Sequence, residues 1–142
     1  MDEILEMGKQ ILASQPFSLL LGAQLTAFSP GVAELALPIT SQLKQQHGFV
    51  HGGVISYLAD NALTFAGGTA LGPEILTAEY KINYLKPAVG TDLIARATVL
   101  NASKYQAVCH CEIFTVAEGR EQLCAVAQGT IVRTGRSSED QA

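Results

Sequence analysis

Charge is what this sequence has least of. Of its 142 residues only 15% are Asp, Glu, Lys or Arg, against 48% hydrophobic. Between Lys44 and Glu74 a single charged side chain occurs, Asp60. So little charge is poor cover for a fully solvated monomer, and it predicts an oligomer that hides part of its apolar surface. Basic residues are the scarcer kind: nine Lys and Arg against thirteen Asp and Glu give a formal net charge of -4. That balance excludes nucleic acid as a bulk partner and requires any anionic ligand to be met by local cations. Cysteine is limited to Cys109, Cys111 and Cys124. The acidic start, Met1-Asp2-Glu3-Ile4-Leu5-Glu6, has no basic region followed by an apolar core and is not a secretory signal. An odd cysteine count without such a signal predicts reduced thiols in a cytoplasmic protein.

Cys109-His110-Cys111 invites a metal reading. In an extended strand, however, His110 points away from the face that the two cysteines share, and no second cluster completes a set of four ligands. No metal is expected. The run from Gly52 to Leu71 is long enough to raise a membrane span. Asp60 at its middle, the lack of Lys or Arg close to its ends and the Gly67-Gly68 interruption argue for a buried core helix instead. No membrane partner is expected.

The length is that of one domain, assigned to residues 1–134, with a polar tail at 135–142. Apolar residues at near-helical spacing predict a helix over residues 2–14, ended by Ser14-Gln15-Pro16. Strands are predicted at 22–28 and 32–38 around a Ser29-Pro30-Gly31 turn, followed by a polar loop at 39–51. The apolar helix covers about 52–67, with Gly67-Gly68 and Leu71-Gly72-Pro73 as its terminators. From Ile75 to Leu85 the residues alternate, with Leu76, Ala78, Tyr80, Ile82 and Tyr84 on one face and Thr77, Glu79, Lys81 and Asn83 on the other. Three more strands follow at 92–100, 105–116 and 122–132, read as a meander with the preceding one. One nearly all-apolar helix needs cover on most of its circumference, and a curved antiparallel sheet wrapped around it supplies that cover. The predicted class is α+β.

A lone carboxylate in an apolar helix is costly to desolvate, and Asp60 is therefore a candidate general base or nucleophile of a hydrolase. Thr64 lies four residues on, on the same face, with Ser56 and Tyr57 one turn earlier. At the helix start, His51-Gly52-Gly53 offers backbone N–H groups without intrahelical partners at the positive end of the dipole, and glycine permits close approach of a carbonyl. Gly52 and Asp60 are separated by about 12 Å along the axis, too far to act on one carbonyl from a single chain. A second subunit's helix is required if the two cooperate. Each feature also has a structural reading: a helix-capping Asp60, a hydrogen-bonding His51, a Gly52-Gly53 pair that permits close packing, and Thr64 or Ser56 bonding back to the carbonyl one turn earlier.

The segment Gln45-Gln46-His47-Gly48-Phe49-Val50-His51-Gly52-Gly53-Val54, with Leu58-Ala59-Asp60, resembles the PaaI-like hotdog-fold acyl-CoA thioesterases. Lys81-Ile82-Asn83-Tyr84-Leu85-Lys86-Pro87-Ala88 is similar to their next strand and its exit, and Gly129-Thr130 to their last strand. The likeness covers about residues 16–134. It implies a long central helix wrapped by five to six antiparallel strands, and a dimer or dimer of dimers with active sites between subunits. It implies further that the Gly52 N–H polarises a thioester carbonyl and that Asp60 of the opposite subunit attacks it or activates water. Thr64 would assist, Gln45 would orient water or thioester, and His51 and Gly53 would support the loop. Tyr57, Leu85, Lys86, Ser103 and Lys104 are the positions expected around the acyl group and CoA, and no cofactor is implied. The alternatives are a hotdog dehydratase or hydratase of hydroxyacyl thioesters, disfavoured by the Gly-Gly after His51, and a non-catalytic acyl-CoA-binding module.

Overall fold

A computed structural model describes residues 2–135. Two short helices, α1 (Glu3–Ala13) and α2 (Pro16–Leu21), precede the hairpin of β1 (Gln24–Ser29) and β2 (Val32–Pro38). A single 3-10 turn at Ser41–Leu43 leads to the long helix α3 (Gly52–Leu71), then β3 (Ile75–Tyr84), β4 (Asp92–Ala102), β5 (Gln106–Ala117) and β6 (Arg120–Arg133). The six strands form one antiparallel sheet in the order β1-β2-β4-β5-β6-β3. The expected α+β architecture is therefore present, with six strands around one helix. The tail assigned to 135–142 lies, from residue 136 on, outside the described residues.

The sheet wraps α3 because both are apolar on the facing side. Ile55, Leu58, Ala59, Ala62, Leu63 and Ala66 recur at helical spacing and are buried. They meet Leu35, Leu93, Ala95, Cys109, Cys111, Ile113 and Ile131, which alternate along their strands and are buried too. No described helix is long and apolar enough to cross a membrane.

Four expectations are corrected. Pro16 does not merely stop α1; it occupies the first turn of α2, where its missing N–H costs nothing. Gly67-Gly68 does not end α3, which runs on to Leu71 with Gly72 as its cap. A Cβ on Gly67 would lie 2.8 Å from Ile131 Cβ, so this glycine lets the helix press against β6. The last four strands are not one meander: β4, β5 and β6 are, but β3 pairs with β6 and forms a sheet edge. The alternation assigned to β3 also fails near its start. Thr77 pairs with Ile131 while Glu79 pairs with Thr130, so Ala78 is the extra residue of a bulge. The bulge turns Thr77 to the same side as Tyr80 and leaves Leu76 64% exposed.

Candidate active site

The site begins at the tip of α3. His51 is the helix N-cap, and its Nδ1 accepts the Gly53 N–H at 2.8 Å. The Val54 N–H is taken by the His51 carbonyl. Among the described residues no acceptor meets the Gly52 N–H, so one donor at the positive end of a 20-residue helix stays available. Tyr84 closes over this glycine, its hydroxyl donating to the Gly52 carbonyl at 3.0 Å. Gln45, Phe49, Gly52, Tyr84, Leu85 and Lys86 line one cleft of about 300 Å³ here. Gln45 is itself tied into the loop: its Oε1 accepts the His47 N–H, and its backbone N–H donates to the Phe49 carbonyl.

Asp60 lies two turns further on, on the side of α3 that faces β3. It is half-buried, and its Oδ1 accepts a hydrogen bond from Thr77 Oγ1 at 2.6 Å. Among the described residues nothing engages Oδ2. Thr64 does share the face, but its hydroxyl donates to the Asp60 backbone carbonyl at 2.8 Å and sits 3.0 Å from Thr77 Oγ1. The hydroxyl that reaches the carboxylate is thus Thr77, which sequence reasoning missed because the unforeseen bulge alone brings it inward. Ser56 meets Tyr80, with the two oxygens 2.5 Å apart. Gly52 and Asp60 stay apart within one protomer, as the helix rise requires.

The positions expected to contact substrate do not gather. Leu85 and Lys86 line the Gly52 cleft. Tyr57 is engaged elsewhere: its hydroxyl donates to Ser18 Oγ, in a polar cluster with Gln15 and Asn61 that fastens α2 to α3. Ser103 and Lys104 lie at the β4–β5 hairpin, and the Lys104 ammonium lies 5.3 Å from the Tyr105 ring centre. Leu85 bonds to Cys124 and Tyr105 to Arg133, nine residues apart on β6. Strand rise then puts Lys86 and Lys104 of one chain roughly 30 Å apart, so they cannot hold one phosphate group together.

The cysteines are buried strand residues, and His110 lies between Cys109 and Cys111 on the opposite face of β5. Burial pushes the Cys109 and Cys124 thiols up to about 11, and burial with the Glu112 charge pushes Cys111 up to about 12. At pH 8 the native protein should therefore leave a thiol reagent such as DTNB unconsumed, and release three equivalents once denatured. The folded thiols bind protons more tightly than the unfolded ones. Their contribution to stability is complete below the ordinary thiol value of 9.0 and is lost as pH rises toward 11–12. A denaturation midpoint that falls from about pH 9 upward is the expected record.

A six-stranded sheet around one helix, with a free N–H at the helix tip and a half-buried carboxylate along its side, defines a hotdog enzyme of acyl-transfer type. Comparison with known proteins bears this out. The thioesterase superfamily matches residues 47–122. A putative esterase of Deinococcus radiodurans is 31% identical over 119 residues, 83% of this chain and 79% of the relative. A thioesterase family protein from Silicibacter pomeroyi superposes with a TM-score of 0.83 at 33% identity, covering 89% of this chain and 95% of that one. A mutant form of the phenylacetic acid degradation protein PaaI from Thermus thermophilus superposes with a TM-score of 0.74 at 32% identity, covering 84% of this chain and 100% of that one. The chain belongs to the thioesterase superfamily, and it is a hydrolase acting on thioesters.

Proposed function

We infer that the substrate is an acyl-CoA thioester, cleaved to free acid and CoA in a site composed of two subunits. The observation that carries this reading is the pair of uncommitted groups on α3: the Gly52 N–H and Asp60 Oδ2. A donor at the helix tip is placed to polarise a thioester carbonyl and to hold the negative charge of a tetrahedral intermediate. Asp60 Oδ2 either attacks that carbonyl or takes a proton from water that does. Thr77 holds the other oxygen and so aims the carboxylate. Two-fold pairing of a second copy would bring its Gly52 opposite Asp60, since one copy keeps them about 12 Å apart. The free outer edge of β3, with exposed Leu76 and Tyr84, supports pairing there.

Incubation with a panel of acyl-CoAs tests the reading. Free thiol and free acid should appear in equal amounts, with no enoyl thioester formed from a hydroxyacyl substrate. Tight binding without thiol release would favour a non-catalytic binding module instead. The aiming role of Thr77 has its own test. Thr77→Val keeps the branched shape and removes the donor to the carboxylate, and kcat should fall about 10- to 100-fold with little change in KM. Thr77→Ser should restore most of the rate. A purely structural Thr77 would instead show equal losses in stability for Val and Ser and no such split.

A further inference from the structure

A second cavity, distinct from the Gly52 cleft, begins at Thr64, one turn of α3 beyond Asp60. It measures about 230 Å³ and lies between α1, β1, the last turns of α3 and the start of β3. Met7, Ile11, Phe28, Phe65 and Ile75 make its walls apolar, and Phe28 packs edge-to-face on Phe65 at 5.5 Å. Thr64 belongs both to this wall and to the hydroxyl pair at Asp60. The cavity thus starts two hydroxyls away from the reactive carboxylate, Thr64 meeting Thr77 and Thr77 meeting Asp60 Oδ1.

We propose that this cavity holds the acyl group, and that Met7 and Ile11 of α1, together with Gly68 of α3, set how long that group can be. The inference rests on the acyl-thioester reading above and adds the substrate class. A dry cavity of about 150 Å³ accepts a benzene ring. By proportion, 230 Å³ takes about nine carbons. The fitting substrates are acyl groups of about six to ten carbons, straight or carrying one ring, and a palmitoyl chain is too long. Gly68 lines the far end, where an added Cβ would come within 3.1 Å of Ile75 Cδ1. Any side chain there takes space from the ligand. Met7 is 53% exposed, so a change at this position alters the cavity rim without entering the core.

The test uses S-alkyl-CoA thioethers from ethyl to hexadecyl, which bind without turnover, with dissociation constants measured by calorimetry on the full chain. Affinity should rise about fourfold per methylene, then stop rising near eight carbons. In Met7→Trp and Gly68→Leu, both checked for an intact melting transition, the break should move at least two carbons shorter. In the hydrolysis assay the octanoyl-to-butyryl ratio of kcat/KM should fall at least tenfold in the same variants. An unmoved break in both variants, or no dependence on chain length, overturns the assignment of the cavity. Failure to bind any analogue also overturns it. Absence of thiol release from every acyl-CoA overturns the thioesterase reading instead, and the binding series remains interpretable in that case.

Discussion

Replacing Asp60 by Asn is expected to lower kcat for thioester cleavage by about a thousandfold, the usual worth of a positioned base or nucleophile. The substitution keeps the shape of the side chain, and its amide oxygen still accepts from Thr77 Oγ1. What it removes is the charge and basicity of the second oxygen. The fold should survive, because nothing in the core depends on that charge. A half-buried carboxylate with one hydrogen bond is partly desolvated, so the melting temperature should stay level or rise slightly. Steady-state thiol release beside a thermal melt reads both quantities. A variant that hydrolyses its best substrate at near wild-type rate would remove Asp60 from the mechanism.

Gly52→Pro should cost about 10²- to 10³-fold in kcat, as loss of one oxyanion donor does elsewhere. Proline deletes the one N–H that the site uses, and the first position of a helix tolerates it well. The preceding residue is ready for it: His51 has φ -59 and ψ 134, the extended region that a following proline demands. An added Cβ would stand 3.4 Å from the Tyr84 ring, an ordinary contact. The two crippled proteins then make a stronger test together than apart. When unfolded as a mixture and refolded, half of the dimers pair Asp60→Asn with Gly52→Pro. If each site takes its carboxylate from one copy and its N–H from the other, one of the two sites in such a dimer is intact. The mixture should recover about a quarter of wild-type activity. A site contained within one chain would recover none.

How much of this could be read from the sequence follows from the range of the forces involved. The long helix, the strands and the loop before Gly52 rest on local periodicity, and each is present, with α3 running four residues past its expected end. The isolation of Asp60 in an apolar run is legible for the same reason. Strand order is not: β3 goes to the far edge beside β6, a pairing that no local pattern encodes. Gly67-Gly68 reads as an ending because glycine disfavours helix, yet close packing on Ile131 outweighs that preference. A single extra residue at Ala78 reverses the faces of Thr77 and Leu76, and with them the identity of the hydroxyl that touches the carboxylate. Thr64, placed on the correct face, spends its hydrogen bond on a backbone carbonyl, a local alternative always open to a helical threonine.

Three hydroxyls of β3 reach across to α3: Thr77 to Asp60, Tyr80 to Ser56 and Tyr84 to Gly52. Seven strand residues advance about 23 Å, whereas eight helical residues advance about 12 Å, so strand and helix cannot run side by side. The spokes record how they part. A short threonine suffices where the two are close, and full-length phenols are needed further along. The space between them widens from the acid toward the helix tip, and one sheet edge frames both ends of the site.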